Sequence, residues 1–465
     1  MRDQQRPRRD PVPQAPEKVF HTRIEPPSAV RRTPNSAAPP SPSDSKPDNW
    51  YRRDVRSRPF IALYAAVFVA TMGISMVSPL LPVYAKELGA SGVWLGLTFS
   101  VFAIVQTFVG PFAGRLSDRY GRKPFIVAGL CIYLVAALGY LTAGSFYQVI
   151  AFRAFSGLGT SLIFSVARAY VGDMTPKGQE GRWLGVFATA DIIGFGTGPL
   201  LAGVLREVVG FRSVFVAMAI LMATSALILM WWLPRHSPAE VLKRASLARG
   251  EARETQTPFA VALKDRLVVA VTAHQGLISL ASGASFSFLA LRLEDGLGVS
   301  PMLIGLAFAT QDITGGLAQP LFGRMADAYS RRVLVAAGLL VNGALLACVG
   351  IVPTYGLMVL LLFAMGASGS ISQVAAGAIQ VVAGRRVGMG TVLGLGSASN
   401  GLGIVIGSVV SGIIVDAQGL AAAFFLGGAI MAAGVPVFLV LTRGVQTSEP
   451  QRAIQPELSE AAAGQ

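Results

Sequence analysis

The chain has 465 residues, of which 52% are hydrophobic and only 14% charged, against about 25% charged in an ordinary soluble domain. Its apolar residues come in runs of roughly 20, the length that crosses a bilayer core as a helix, so a soluble fold is excluded. The net charge of +14 does not point to nucleic acid, because thirteen of the 39 Lys and Arg precede residue 59 and most others sit in short loops.

Residues 1–58 carry eleven prolines and mixed charge with almost no apolar periodicity. Such a segment cannot bury enough surface to offset its ordering entropy, and a disordered cytoplasmic tail is expected. No apolar h-region follows the early arginines, so a signal peptide is not expected. Trp50-Tyr51-Arg52-Arg53 reads as an interfacial anchor ahead of the first span. Twelve apolar spans follow, near 60–83, 93–113, 124–143, 146–172, 183–205, 211–233, 267–291, 301–322, 333–352, 355–383, 387–415 and 420–442. The charged stretch 234–266 between spans 6 and 7 is the expected cytoplasmic linker. It separates a six-helix bundle over 59–233 from a second over 267–442, and 443–465 forms a C-terminal tail. With the N-terminus inside, the inner loops hold 18 Lys and Arg and the outer loops four. That asymmetry places both termini in the cytoplasm.

The halves are also a repeat. A shift of 209 carries Pro111, Gly114, Arg115, Asp118 and Arg122 onto Pro320, Gly323, Arg324, Asp327 and Arg331. The same shift carries Gly194, Gly198 and Gly203 onto Gly403, Gly407 and Gly412, and Asp191 onto Asn400. One offset serving two distant segments implies a duplicated six-helix unit with a substrate site between the copies. The expected fold is an all-α integral membrane protein, twelve transmembrane helices in two pseudo-symmetric six-helix bundles.

The loop after span 2, Gly114 to Lys123, must reverse the chain in about ten residues, with Gly114 and Gly121 supplying permissive backbone. Its arginines suit an inner loop, but an acid kept among them and repeated at Asp327 asks for more than topology. A carboxylate there can pair with an arginine or with the positive end of a helix. Gly114-Arg-Leu-Ser-Asp118-Arg-Tyr-Gly121-Arg122-Lys123 resembles the loop between helices 2 and 3 of the major facilitator superfamily, with a weaker copy between helices 8 and 9. The resemblance covers roughly 59–442. It implies that Gly114, Asp118, Gly121, Arg122, Asp327 and Arg331 belong to a conformational gate. Gly194-Phe-Gly196-Thr-Gly198-Pro199-Leu-Leu-Ala-Gly203 in span 5 is similar to the signature of the family's proton-driven exporters. Read from the residues alone, glycines four apart allow close helix packing, and Pro199 invites a bend. Ser78-Pro79-Leu-Leu-Pro82-Val-Tyr84 is also similar to the drug:proton antiporter branch.

Five ionisable residues lie at membrane depth: Arg153 and Arg168 in span 4, Asp191 in span 5, His274 in span 7 and Asp312 in span 8. A charge at a span centre costs about 2.5–3.5 kcal/mol, so each needs a partner or a wet cavity. Arg153 begins Arg153-Ala-Phe-Ser156-Gly157-Leu-Gly159, which resembles the family's helix-4 motif with Ser156 where glutamine is usual. It reads either as a proton-transfer group or as a structural partner of Asp191. Arg168 reads as snorkelling or paired with Asp173. Span 1 contains no acid, so proton coupling would use Asp312 and Asp191 with His274 as an accessory. Asn400 offers either a cavity hydrogen bond or packing between helices. With two cysteines and three histidines, no metal cluster is legible.

The resemblance implies an alternating-access transporter, not an enzyme, working as a monomer without cofactors in the plasma membrane. Its expected partners are a small amphipathic substrate, protons and the lipid bilayer. A uniporter or importer of one metabolite stays open as an alternative, as does a non-pumping transceptor.

Overall fold

A computed structural model describes residues 57–175, 180–234 and 258–445, except the side chains of 118, 180–182, 184, 284–287 and 327. The expected N-terminal tail and its Trp50 anchor, most of the linker, and nearly all of the C-terminal tail lie outside the described residues.

Twelve long helices account for almost everything described: α1 (Arg58–Glu87), α2 (Gly92–Tyr120), α3 (Arg122–Thr142), α4 (Phe146–Met174), α5 (Glu180–Val208), α6 (Phe211–Trp232), α7 (Arg266–Leu291), α8 (Pro301–Ala328), α9 (Arg331–Val349), α10 (Tyr355–Val387), α11 (Met389–Gln418) and α12 (Leu420–Leu441). Eleven are long and apolar enough to cross a membrane. The remaining one, α8, is long enough, but Gln311, Asp312 and Gln319 interrupt its apolar run. Large apolar side chains such as Trp231, Trp232, Phe108 and Leu317 stand exposed around the bundle, as a lipid-facing surface requires. The protein is a multi-pass membrane protein.

Several helices run past the ends of their apolar stretches. The expected ten-residue loop after span 2 is mostly helix: α2 continues to Tyr120, and the reversal falls on Gly121 alone, at φ 104°. Leu116 to Tyr120 contain no helix breaker, so hydrogen bonding carries the helix beyond the hydropathy boundary until a residue free to adopt positive φ arrives. Gly388 and Gly419 do the same between α10 and α11 and between α11 and α12.

Packing repeats with the sequence. In the first half α1 lies against α5 and α6, α2 against α4, and α3 against α4 and α6. In the second half α7 lies against α11 and α12, α8 against α10, and α9 against α10 and α12. The halves meet through two equivalent pairs, α2 with α11 and α5 with α8. The repeated glycines make these contacts possible. A Cβ on Gly194 or Gly198 would strike α1 at Thr71, Met72 or Ser75, and one on Gly403 or Gly407 would strike α7 at Gly276 or Leu280. Gly203 and Gly412 face the opposite half, against Pro301 of α8 and Gly92 of α2.

Apart from a bond from Ser100 Oγ to the Val405 carbonyl at 3.0 Å deeper in the bundle, the described polar contacts between halves gather at the end where α1 turns into α2. Gly92 N–H and Val93 N–H donate to Asp416 at 2.7 and 3.0 Å. Arg206 makes a two-pronged pair with Glu294 at 2.6 and 2.8 Å, and Lys86 reaches Asp295 at 2.5 Å. At the other end, a Cβ on Gly114 or on its mate Gly323 would meet nothing within 4 Å.

Candidate functional site

A cavity of about 530 Å³ lies between α5 and the second half, a volume ordinary for a small-molecule site. Among the described residues, the first half lines it only with Asp191, Ile192 and Phe195 of α5; the remaining walls come from α7, α8, α9, α10 and α12. Gly315, Gly316, Gly366, Gly369 and Gly377 keep its walls thin. Both carboxylates sit eleven residues into their helices, Asp191 in α5 and Asp312 in α8, well away from either helix end.

Asp191, His274 and Asp312 all reach this cavity, each in a different setting. Asp191 accepts a hydrogen bond from Thr71 Oγ1 at 3.2 Å and faces Arg168 Nη2 at 3.5 Å. His274 is 3% exposed; its Nε2 meets Ser372 Oγ at 2.6 Å, and its ring lies beside Phe438. Asp312 has no hydrogen-bond or ion-pair partner among the described residues. A carboxylate so placed must be balanced by a proton, a cationic ligand or water.

Arg153 and Asn400 lie elsewhere. Arg153 is buried against α2, its guanidinium 4.3 Å from the Phe102 ring centre and 5.4 Å from that of Phe99. Its Nε and Nη1 have no hydrogen-bond partner among the described residues, and the aromatic faces supply the compensating attraction. It does not pair with Asp191. Arg168 holds that place, fifteen residues further along α4, about 22 Å of helix rise. Nor does Arg168 pair with Asp173, whose carboxylate receives two hydrogen bonds from Arg122. Asn400 donates to Ser279 Oγ at 2.7 Å, binding α11 to α7.

Of the expected gate, Gly121 forms the α2–α3 reversal, Arg122 ties the start of α3 to the end of α4, and Arg331 donates to the Ala326 carbonyl at 3.2 Å. The side chains of Asp118 and Asp327 lie outside the description. In α5, Pro199 faces α8, where a Cβ on Gly305 would strike its carbonyl.

Sequence reasoning passed over the cavity's amides: Gln275, Gln311, Gln319, Gln373 and Gln380, with Asn342. A signal was available. Glutamine recurs inside spans 7, 8 and 10, and beside both His274 and Asp312, but attention to charge alone does not register it.

The family model of the Major Facilitator Superfamily matches residues 63–291 and 271–463. Multidrug resistance protein 2 of Bacillus subtilis is 28% identical over 395 residues, covering 82% of this chain and 94% of that protein. Quinolone resistance protein NorA of Staphylococcus aureus is 25% identical over 389 residues, covering 83% and 96%. Among solved structures, a bacterial homolog of the human lysosomal transporter Spinster, inward-facing and occupied, superposes with a TM-score of 0.65 at 17% identity, covering 82% of this chain and 94% of that one.

Proposed function

Because the chain belongs to the major facilitator superfamily and is a transporter of small molecules, we propose that it is a proton-coupled exporter of small amphipathic compounds working by alternating access. The observation that carries this reading is Asp312: an acid midway along a membrane helix, facing the cavity, with no partner among the described residues. Such a group can exchange a proton for a cationic cargo without breaking a structural ion pair. Asp191, held by Thr71 and Arg168, is the second carboxylate of the same cavity and the alternative proton site. His274, bonded to Ser372 across α7 and α10, braces the same cavity. The names of the bacterial relatives, multidrug and quinolone resistance proteins, support export.

The excess of Lys and Arg in alternate loops supports a plasma-membrane orientation with both termini cytoplasmic. The end closed by Asp416 and Arg206 then faces outward, and the cavity is reached from the cytoplasm. The proposed cycle begins with protonation of Asp312 or Asp191 from outside. Neutralising the carboxylate permits closure and reopening inward, where loss of the proton favours capture of the cargo. The Gly114–Arg122 segment and its copy at Asp327 and Arg331 gate the rocking, with the monomer as the working unit.

Inverted vesicles carrying a pH-sensitive dye and energised to an acid interior test this. Addition of a cationic amphiphile should release protons, and Asp312→Asn should abolish the release. Absence of release with cationic, neutral and anionic amphiphiles alike, at good expression, would favour uniport and overturn the proposal.

A further inference from the structure

The cavity offers far more hydrogen-bonding capacity than its charges require. Gln275 on α7, Gln311 and Gln319 on α8, and Gln373 and Gln380 on α10 all line it. None of these five amides has a hydrogen-bond partner among the described residues. Asn342 on α9 lines the same cavity with its Oδ1 buried and unpartnered there. Gln311 and Gln319 are eight residues apart and Gln373 and Gln380 seven, so each pair stacks on one face of its helix, two turns apart.

Each amide presents two donors and two acceptor lone pairs. A membrane protein commonly bonds such groups to a neighbouring helix, whereas these five stay accessible, Gln373 exposed and the other four half-buried. Here they converge on one space instead. The wall opposite is of another kind: Ile192 and Phe195 of α5. The first half therefore contributes these two apolar side chains beside Asp191, and the second half sets the amides around Asp312 among apolar residues such as Val271, Leu339 and Met431.

We infer that the cargo is a small amine whose polar end carries several hydroxyl or amide groups, held by the glutamines of α8 and α10 with its ammonium at Asp312 and its apolar part against Ile192 and Phe195. A carboxamide matches hydroxyls and amides because it donates and accepts at adjacent atoms. A flat lipophilic cation would strip water from the amides and return no hydrogen bonds. An anion would face Asp312, while Arg168 is already engaged by Asp191. The inference rests on the reading of this cavity as the cargo site.

The test is direct binding to the full chain in lipid nanodiscs, without a gradient and with protein-free discs subtracted. Three probes share an eight-carbon chain: N-octylglucamine, with one amine and five hydroxyls; N-octylhexylamine, with the amine alone; and octanoyl-N-methylglucamide, with the hydroxyls and no charge. N-octylglucamine is expected to bind at least tenfold tighter than either. Gln311→Leu and Gln380→Leu should weaken it about tenfold and leave N-octylhexylamine unchanged or tighter. Asp312→Asn should bring N-octylglucamine down to the neutral amide's affinity. Equal or tighter binding of N-octylhexylamine to the native chain, or binding of none of the three, overturns the inference. So does equal weakening of both amines in the glutamine variants, which would mark the amides as no more than a solvated wall. Selective binding without proton release would overturn export and leave this inference standing. Proton release driven only by N-octylhexylamine would do the reverse.

Discussion

Glu207 and Asp416 stand 209 residues apart, at the same position of the two repeats, and each holds the first turn of a helix in the opposite half. Asp416, near the end of α11, accepts from Gly92 and Val93 at the start of α2. Glu207, near the end of α5, accepts from Ser300 Oγ at 2.7 Å and Met302 N–H at 2.9 Å at the start of α8. The one difference between the two follows from sequence. Pro301 occupies the place of Gly92 and has no N–H to give, so the preceding Ser300 hydroxyl supplies the second donor. The carboxylates also meet the positive ends of those helices. They form a symmetric pair of clasps across the closed end.

Removing a clasp should therefore shift the transporter toward the conformation open at that end. Asp416→Asn should weaken closure by about 0.5–1 kcal/mol, the range of a lost helix cap on an exposed surface, a two- to fivefold change in population. Glu207→Gln should act in the same direction, and the double variant more strongly than either. Spin labels on the α1–α2 and α7–α8 connections would report the change as a growing long-distance population. Unchanged distances in the double variant would show that glycine packing alone closes this end.

The repeated glycines give a second prediction, because they differ in what surrounds them. Gly198→Val and Gly407→Val place a side chain where the Met72 carbonyl of α1 or the Leu280 carbonyl of α7 already stands. Each should abolish monodisperse protein in detergent, since backbone cannot yield as a side chain would. Gly114→Ala meets nothing within 4 Å and should keep the native elution profile and melting temperature. Size-exclusion chromatography followed by a melt reads all three.

The duplication was legible because one offset matched both the loop and the glycines, and the packing of α5 on α1 and of α11 on α7 follows from it. Asp191, His274 and Asp312 were legible as a group because a charge in an apolar span stands out. Arg153 and Asn400 were left with two readings each for a single reason. Sequence gives depth along a helix but not rotation about its axis, and Arg153 turns toward Phe99 and Phe102 of α2. The glutamines escaped because an amide breaks hydropathy only slightly, and only convergence in space shows that five of them share one cavity. The extension of α2 to Tyr120 escaped because hydropathy marks where the bilayer ends, which is not where helical hydrogen bonding ends.

Arg122 and Asp173 make a third case. The arginine side chain is 7% exposed and the carboxylate 20%, and Arg122 also lies 3.5 Å from Ser117 Oγ. Breaking so enclosed a pair removes two charge-assisted hydrogen bonds, at a cost of about 1.5–3 kcal/mol. Asp173→Ala should lower the melting temperature by several degrees, and Arg122→Lys should recover little, because a single ammonium cannot reproduce the two-pronged guanidinium contact. If Arg122→Lys melts with the native protein, the pair contributes charge and not geometry.

His274 supplies the last prediction, which separates bracing from proton carriage. Its Nε2 meets Ser372 Oγ at 2.6 Å across α7 and α10, and the ring is almost wholly buried. Ser372→Ala removes that partner and leaves a buried ring nitrogen unsatisfied, a cost of about 1–3 kcal/mol. The expected result is a lower melting temperature with dye-detected proton release per folded molecule, and its dependence on pH, unchanged. His274→Asn should give the same pattern, because an amide can still reach a hydroxyl across the helices. A changed pH profile at native stability in either variant would move His274 from bracing the cavity to handling the proton. Asp312 would then share with it the coupling assigned above to the carboxylates.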